Sequence, residues 1–345
     1  MRRPLAGQVA LVAGATRAAG RGIARELAAA GAKVWCTGRS TRGQPATEGR
    51  PETIEETAEL IAAAGGAAVA MRVDHTVEAE VEALAARIEA EDGRLDILVN
   101  DIWGGDELID WSGSFWTQDM AAARTLVDRA VLTHWITARR LAPMMVAANR
   151  GLIVEVTDGA EPGYRGNLTY DFLKASAIRL AYGMAWDLGR TRVTALALSP
   201  GFLRSEAMLE RFGVTEANWR EAAAGAPDFG WSETPHYVGR AVAALAADPQ
   251  LRRKAGGAYF AGDLADEYGF TDLDGSRPHF WRGVTARLAE ELAKDGPLSP
   301  WAQRHAAGRY QKIHLSPQHA AEAQTLAARL GWERLPAGLQ PVLPG

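Results

Sequence analysis

Short apolar runs of five to seven residues alternate with longer amphipathic stretches along most of the chain, a rhythm that few folds besides a parallel sheet wrapped by helices can accommodate. The runs are Val9 to Ala13, Lys33 to Thr37, Ala67 to Val73, Leu95 to Asn100, Leu152 to Val156, Val193 to Leu198 and Gly257 to Ala261. Helices are expected between them. One runs from Arg21 to Ala30 and ends at Gly31; another follows the capping box of Thr53 and Glu56; a third covers Val77 to Glu91. The stretch from Asp119 to Asn149 reads as one helix that Pro143 should end or kink, and Asp171 to Leu188 as the next. Thr234-Pro235 opens a further helix. The pattern predicts a doubly wound α/β fold with a seven-stranded parallel sheet over residues 1–275. A helical extension over 276–345 should contain Phe280 to Lys294, Pro300 to Arg309 and Pro317 to Leu330.

Composition narrows the function classes. A net charge of −4 without any Lys/Arg run argues against a nucleic-acid partner. The single cysteine, Cys36, fits a reducing compartment. The opening MRRPLAGQVALVAGAT imitates a secretion signal, but Gln8 interrupts it and Arg17 and Arg21 follow, so it reads as the first strand. No run reaches the ~18 apolar residues of a membrane span, and a cytoplasmic protein is expected. The seven histidines have no metal-ligand spacing, and His314 and His319 read as surface residues.

Two motifs carry chemistry. GATRAAGRG, from Gly14 to Gly22, lies between the first strand and the first helix, where main-chain N–H groups and a helix N-terminus can hold a pyrophosphate. Tyr170 and Lys174, four residues apart on a helix, share one face, so the ammonium can lower the pKa of the phenol.

With these motifs in place, residues 5–265 resemble the short-chain dehydrogenase/reductase family, a Rossmann fold. The resemblance rests on AGATRAAG for the family's TGxxxGxG turn, Asp74 in RVDHT, LVNDIWGG for LVNNAG, Tyr170-x3-Lys174, and SPGFLRSE after the sixth strand. It implies an oxidoreductase that exchanges a hydride with a nicotinamide cofactor. Tyr170 would be the proton donor or acceptor, and Lys174 both its perturber and a ribose ligand. Gly14, Thr16, Arg17, Ala18, Ala19 and Gly20 would hold the pyrophosphate. Asp74 and His75 would meet the adenine; Asn100, Asp101 and Ile102 would lie along the ribose side; Pro200, Gly201, Leu203 and Ser205 would line the nicotinamide. At the end of the second strand the chain reads Thr37-Gly38-Arg39-Ser40, with Arg17 nearby and no carboxylate, which favours NADP(H) over NAD(H). The resemblance also implies a homo-oligomer, dimer or tetramer, assembled through the two long helices.

The chain departs from the family at three places. Ala18 stands for the second glycine, tolerable where φ is negative. Ala130 stands for the active-site asparagine, thirteen residues before Pro143. The serine that polarises the substrate carbonyl is absent: counting back from Tyr170 gives Thr157, while ungapped alignment of GLIVEVTD gives Asp158. Thr157 is favoured as the hydroxyl donor, with Asp158 also in the pocket. His134 is a candidate to reach the pocket, and Trp103 and Trp111 are candidates for substrate contact. The expected activity is NADP(H)-dependent carbonyl reduction or secondary-alcohol oxidation of a medium-sized, largely apolar small molecule under a lid at about 206–231. A non-redox epimerase, cyclase or dehydratase, or a non-catalytic NADP(H)-binding protein, are the alternatives.

Overall fold

The protein is described by a computed structural model that covers residues 3–302 except 45, 47, 48, 161–163, 295, 296, 298 and 300. Seven parallel strands form one sheet: β1 (Val9–Ala13), β2 (Lys33–Gly38), β3 (Ala67–Arg72), β4 (Ile97–Asn100), β5 (Gly151–Val156), β6 (Val193–Ser199) and β7 (Ala258–Phe260). Their order is β3-β2-β1-β4-β5-β6-β7. The chain winds outward from β1 to β3, then crosses to β4 and winds the other way. A crevice opens where the direction reverses, at the carboxyl ends of β1 and β4. Register fixes its floor, because Ala13 pairs with both Thr37 and Asn100, so these three strands end at one level.

Alternate side chains of each strand serve opposite faces. Ala10 and Val12 of β1 enter a core with Ile23 and Leu27 of helix α1 (Ala18–Ala29), whereas Val9 and Leu11 enter a second core with Leu84 and Ile88 of the later helix Glu78–Asp92. Between β2 and β3 lies α2 (Ile54–Ala63), whose Thr53 cap accepts from Glu56 N as the capping box requires. The helix Glu78–Asp92 is α3.

The expected long helix is present with a different interruption. It comprises α4 (Met120–Val127), a π turn over Asp128–Leu132 and α5 (Thr133–Ala148). Pro143 neither ends nor interrupts it. The ring sits on the exposed side of α5, where water can satisfy the carbonyl that loses its donor. After β5 comes α6 (Leu168–Asp187), which starts three residues earlier than expected.

The segment expected to act as a lid holds α7 (Glu206–Phe212) and two short 3-10 turns, with α8 (Pro235–Ala247) after it. Then come α9 (Ala261–Tyr268) and α10 (Phe280–Leu292). Phe229 of the second turn is fully buried, with its ring centroid 4.6 Å from Phe212 and 5.2 Å from Phe202. Arg287 of α10 bonds Asp228 at 2.8 Å, so α10 clasps this segment. The helices expected at Pro300 to Arg309 and Pro317 to Leu330, with His314 and His319, lie outside the described residues, except that 301–302 are helical.

Candidate active site

A cleft of about 890 Å³ runs along the carboxyl edge of the sheet from the glycine turn to Tyr170. Gly14 has φ 95°, and a Cβ there would lie 2.2 Å from the Asp101 carbonyl oxygen, so the turn can pass β4 only as glycine. Ala18 has φ 48°, not the negative value that would make alanine neutral in place of glycine; its Cβ is therefore strained. The Ala18 N–H donates to Glu206 Oε2 at 3.0 Å, and Arg21 stands 3.6 Å from the same carboxylate. The turn thus receives an anionic oxygen in this structure, the chemistry a pyrophosphate would present. Thr16, Arg17, Ala18 and Ala19 line the cleft, and Gly20 packs behind it against the Gly14 carbonyl.

Beside the glycine turn, Arg17 bonds Glu52 at 3.3 Å and Arg50 bonds both Glu52, at 3.0 Å, and Glu210 of α7, at 2.7 Å. Arg39 lines the cleft beside Ser40; burial lowers its pKa, Asp74 opposes that shift, and Arg129 and Arg72 reinforce it. Burial would raise the Asp74 carboxyl, but bonds from the Thr76 amide at 3.0 Å and hydroxyl at 2.7 Å hold it below the ordinary value. His75 spends its ring on Thr37 at 2.9 Å and Thr137 at 2.8 Å, and burial pushes it down to about 3, leaving a neutral imidazole.

Asn100 is a correction. Its amide turns away from the cleft to Glu155 at 2.7 Å and the His134 carbonyl at 3.3 Å. His134, expected as a possible pocket residue, lies behind the wall with Nδ1 at 2.5 Å from Glu155 and Nε2 at 3.0 Å from the Ile102 carbonyl. Burial works against its charge, but Glu155 outweighs that effect and raises its pKa. Asp101 and Ile102 do line the cleft, and burial pushes the Asp101 carboxyl up to about 7 against the pull of Lys174 and His134.

The reacting end is set by the first turn of α6. Asn167 caps the helix by accepting from Tyr170 N at 3.0 Å, and Tyr170 and Lys174 then both reach the cleft. Tyr170 Oη donates to Asp158 Oδ2 at 2.9 Å. Thr157 gives its hydroxyl proton to the Lys174 carbonyl at 2.7 Å. The favoured donor is thereby spent on the main chain, and the side chain facing Tyr170 is Asp158. The phenol is also not drawn toward neutrality: burial, then the Asp158 charge and hydrogen bond, push it well above its ordinary value. Arg165 holds the turn carrying Asp158, bonding the carbonyls of Asp158 and Gly159 and the Asp171 carboxylate at 2.9 Å.

Pro200, Gly201, Leu203 and Ser205 line the opposite wall, although the Ser205 side chain accepts from Met208 N to cap α7. Gly201 N donates to Glu233 Oε2 at 2.9 Å, and burial pushes Glu233 up to about 8. Arg50, Arg129, Arg165, Phe280 and Trp281 also line the cleft and carry no motif signal in the sequence. Glu206 lines it too, as the last residue of SPGFLRSE, though it is not among the expected site residues.

The sequence profile described as Enoyl-(Acyl carrier protein) reductase matches residues 14–252. Dehydrogenase/reductase SDR family member 1 of Mus musculus is 34% identical over 277 residues, 79% of this chain and 85% of that protein. The 7alpha-hydroxysteroid dehydrogenase of Escherichia coli (strain K12) is 30% identical over 205 residues, 59% of this chain and 74% of its own. A metagenomic short-chain oxidoreductase crystallised in complex with NADP has the same fold, with a TM-score of 0.54 at 24% identity, covering 71% of this chain and 92% of that one. The chain belongs to the short-chain dehydrogenase/reductase family of Rossmann-fold oxidoreductases.

Proposed function

We propose that the protein is an NADP(H)-dependent carbonyl reductase or secondary-alcohol dehydrogenase for a medium-sized, largely apolar substrate. The observation that carries this reading is the Tyr170 to Asp158 hydrogen bond of 2.9 Å, in one cleft with Lys174 and the glycine turn. In the oxidising direction the substrate hydroxyl gives its proton to Tyr170 Oη while Tyr170 gives its own to Asp158 Oδ2. In the reducing direction both protons return. Lys174 favours negative charge on the phenolic oxygen between them. A bound nicotinamide would accept or supply the hydride. Arg39, with no carboxylate at the end of β2, supports the choice of NADP(H), and its guanidinium would meet the 2′-phosphate. Trp103, Trp111, Phe280 and Trp281 support an apolar substrate, since all four line the cleft.

The exposed side chains of Leu132, Trp135, Phe172 and Trp186 on the two long helices support self-association, which light scattering would test. A cytoplasmic site of action is part of the proposal and rests on the single cysteine, Cys36; among the described residues no helix is long and apolar enough to cross a membrane.

A panel of ketones and secondary alcohols followed at 340 nm tests the activity. Tyr170→Phe should still bind NADPH while losing about 10²- to 10⁴-fold in kcat/KM. The Asp158 carboxylate also favours a second reading, proton transfer without net redox change, in which a substrate is converted with no change at 340 nm.

A further inference from the structure

The chain has five lysines, Lys33, Lys174, Lys254, Lys294 and Lys312. Three of them hold carboxylates: Lys33 reaches Asp92 at 2.7 Å, Lys254 reaches Glu267 at 2.8 Å and Lys294 reaches Glu291 at 3.7 Å. Lys174 instead places its ammonium 4.0 Å from the ring centroid of Trp103, with the Tyr170 ring farther off at 5.5 Å. At 4.0 Å a desolvated ammonium over an indole face is strongly attracted by the ring quadrupole.

The indole is itself fixed. Its Nε1–H donates to Asp106 at 2.7 Å, it stands edge-on to Tyr170 at 5.8 Å, and it packs on the cluster of Leu126, Ala130 and Leu173. That cluster contains the position where the family's asparagine is missing. Arg129, beside it on the π turn, bonds the Gly104 carbonyl at 2.8 Å and so pins the loop that carries Trp103.

We propose that Trp103 is a positioning residue for the reaction: its indole face holds the Lys174 ammonium beside Tyr170 where this chain lacks the helix-borne asparagine. The inference rests on the proposed roles of Tyr170 and Lys174 and adds a third side chain to them. A ring face attracts the ammonium without taking a proton from it or forming a directed bond, so Lys174 keeps its donors free for a ribose or for the phenolic oxygen.

The other charged and titratable groups around Lys174 come from every neighbouring element. Burial lowers its pKa; Asp158, Asp101 and Asp106 oppose this, Arg165 adds to it, and His134 and Tyr170 lie within interaction range. Removing the ring face should lower the pKa further.

The test is a 13C NMR titration of full-length protein labelled at lysine Cε, with five signals and Lys174→Met to assign the one that matters. Relative to the parent, Trp103→Leu should move the Lys174 midpoint down by about half to one and a half pH units, and Trp103→Phe by less. An unmoved midpoint in folded Trp103→Leu overturns the proposal. Should the leucine variant fail to fold, Trp103→Phe decides alone: a downward shift supports the proposal and an unmoved midpoint overturns it. Because the titration needs no substrate, a shifted midpoint in a protein inert toward every carbonyl at 340 nm would defeat the assigned activity and leave the positioning role standing.

Discussion

At the glycine turn the cleft wall is main chain, with Gly14 passing β4 and the Ala18 N–H aimed outward; at the other end it is side chain, with Tyr170, Asp158, Lys174 and Trp103 holding one another. The two ends respond differently to substitution. Ala18 takes a positive φ of 48°, and its N–H still reaches an anionic oxygen. A main-chain donor remains a donor whatever side chain it carries. At the reacting end, Thr157 and Asp158 are adjacent in sequence, yet one can donate while the other, ionised, can only accept. A shift of one position there changes the direction in which protons move.

The sharpest way to break this contrast is at Asp158. Asp158→Asn should lower kcat/KM by about 10²-fold, since the carboxylate that receives the Tyr170 proton is gone. Because the Asp158 charge raises the Tyr170 phenol, its removal should also move the rising limb of the oxidative pH–rate profile to lower pH. Thr157→Val should leave turnover nearly intact and cost about 1 kcal/mol of stability, the bond to the Lys174 carbonyl. The opposite pattern would return the role to Thr157.

At the nucleotide end the effects should be smaller. Arg39→Asp should reverse a preference for NADPH over NADH that we expect to be about tenfold or more, read by fluorescence titration. Equal affinities in the parent would remove the argument. Next in size is Glu206→Gln. Its carboxylate and a pyrophosphate would compete for the Ala18 N–H, so the neutral side chain should tighten NADPH binding by about three- to tenfold in calorimetry. Weaker binding would mean that Glu206 assists the nucleotide. Smallest of all, Ala18→Gly should relieve the positive φ and raise stability by up to about 1 kcal/mol, visible as a higher Tm.

Much of the fold was legible because burial has a period. Each expected strand appears within a few residues of its run, and Thr53 caps α2 by accepting from Glu56 N, although the Glu56 carboxylate goes to Arg21 rather than back to Thr53. The glycine turn and the Tyr170 and Lys174 pair were legible as local spacings. What escaped was long-range. Nothing around Arg50 signals its pairing with Glu210, 160 residues away, and nothing around Glu206 signals its reach to Ala18, 188 residues away. Asn100 was misplaced because a strand-end amide can face the crevice or the helix behind it, and the Glu155–His134 pair decides between them. The expectation that Pro143 would end the helix failed: α5 runs on to Ala148 with the ring on its exposed side.

The π turn over Asp128–Leu132 gives the two halves of the long helix separate phases. An α-helix rotates about 100° per residue, and a π turn absorbs one extra residue without breaking the rod. Downstream of it, Thr133, His134, Thr137, Ala138 and Leu141 face inward together. If all five residues closed into regular α-helix, that whole stripe would swing about a quarter-turn toward solvent and pull His134 from Glu155. Deleting one residue of the turn would instead let the helix run on regularly with the stripe still facing inward, so the wide turn is what lets this helix carry one residue more than its packing needs.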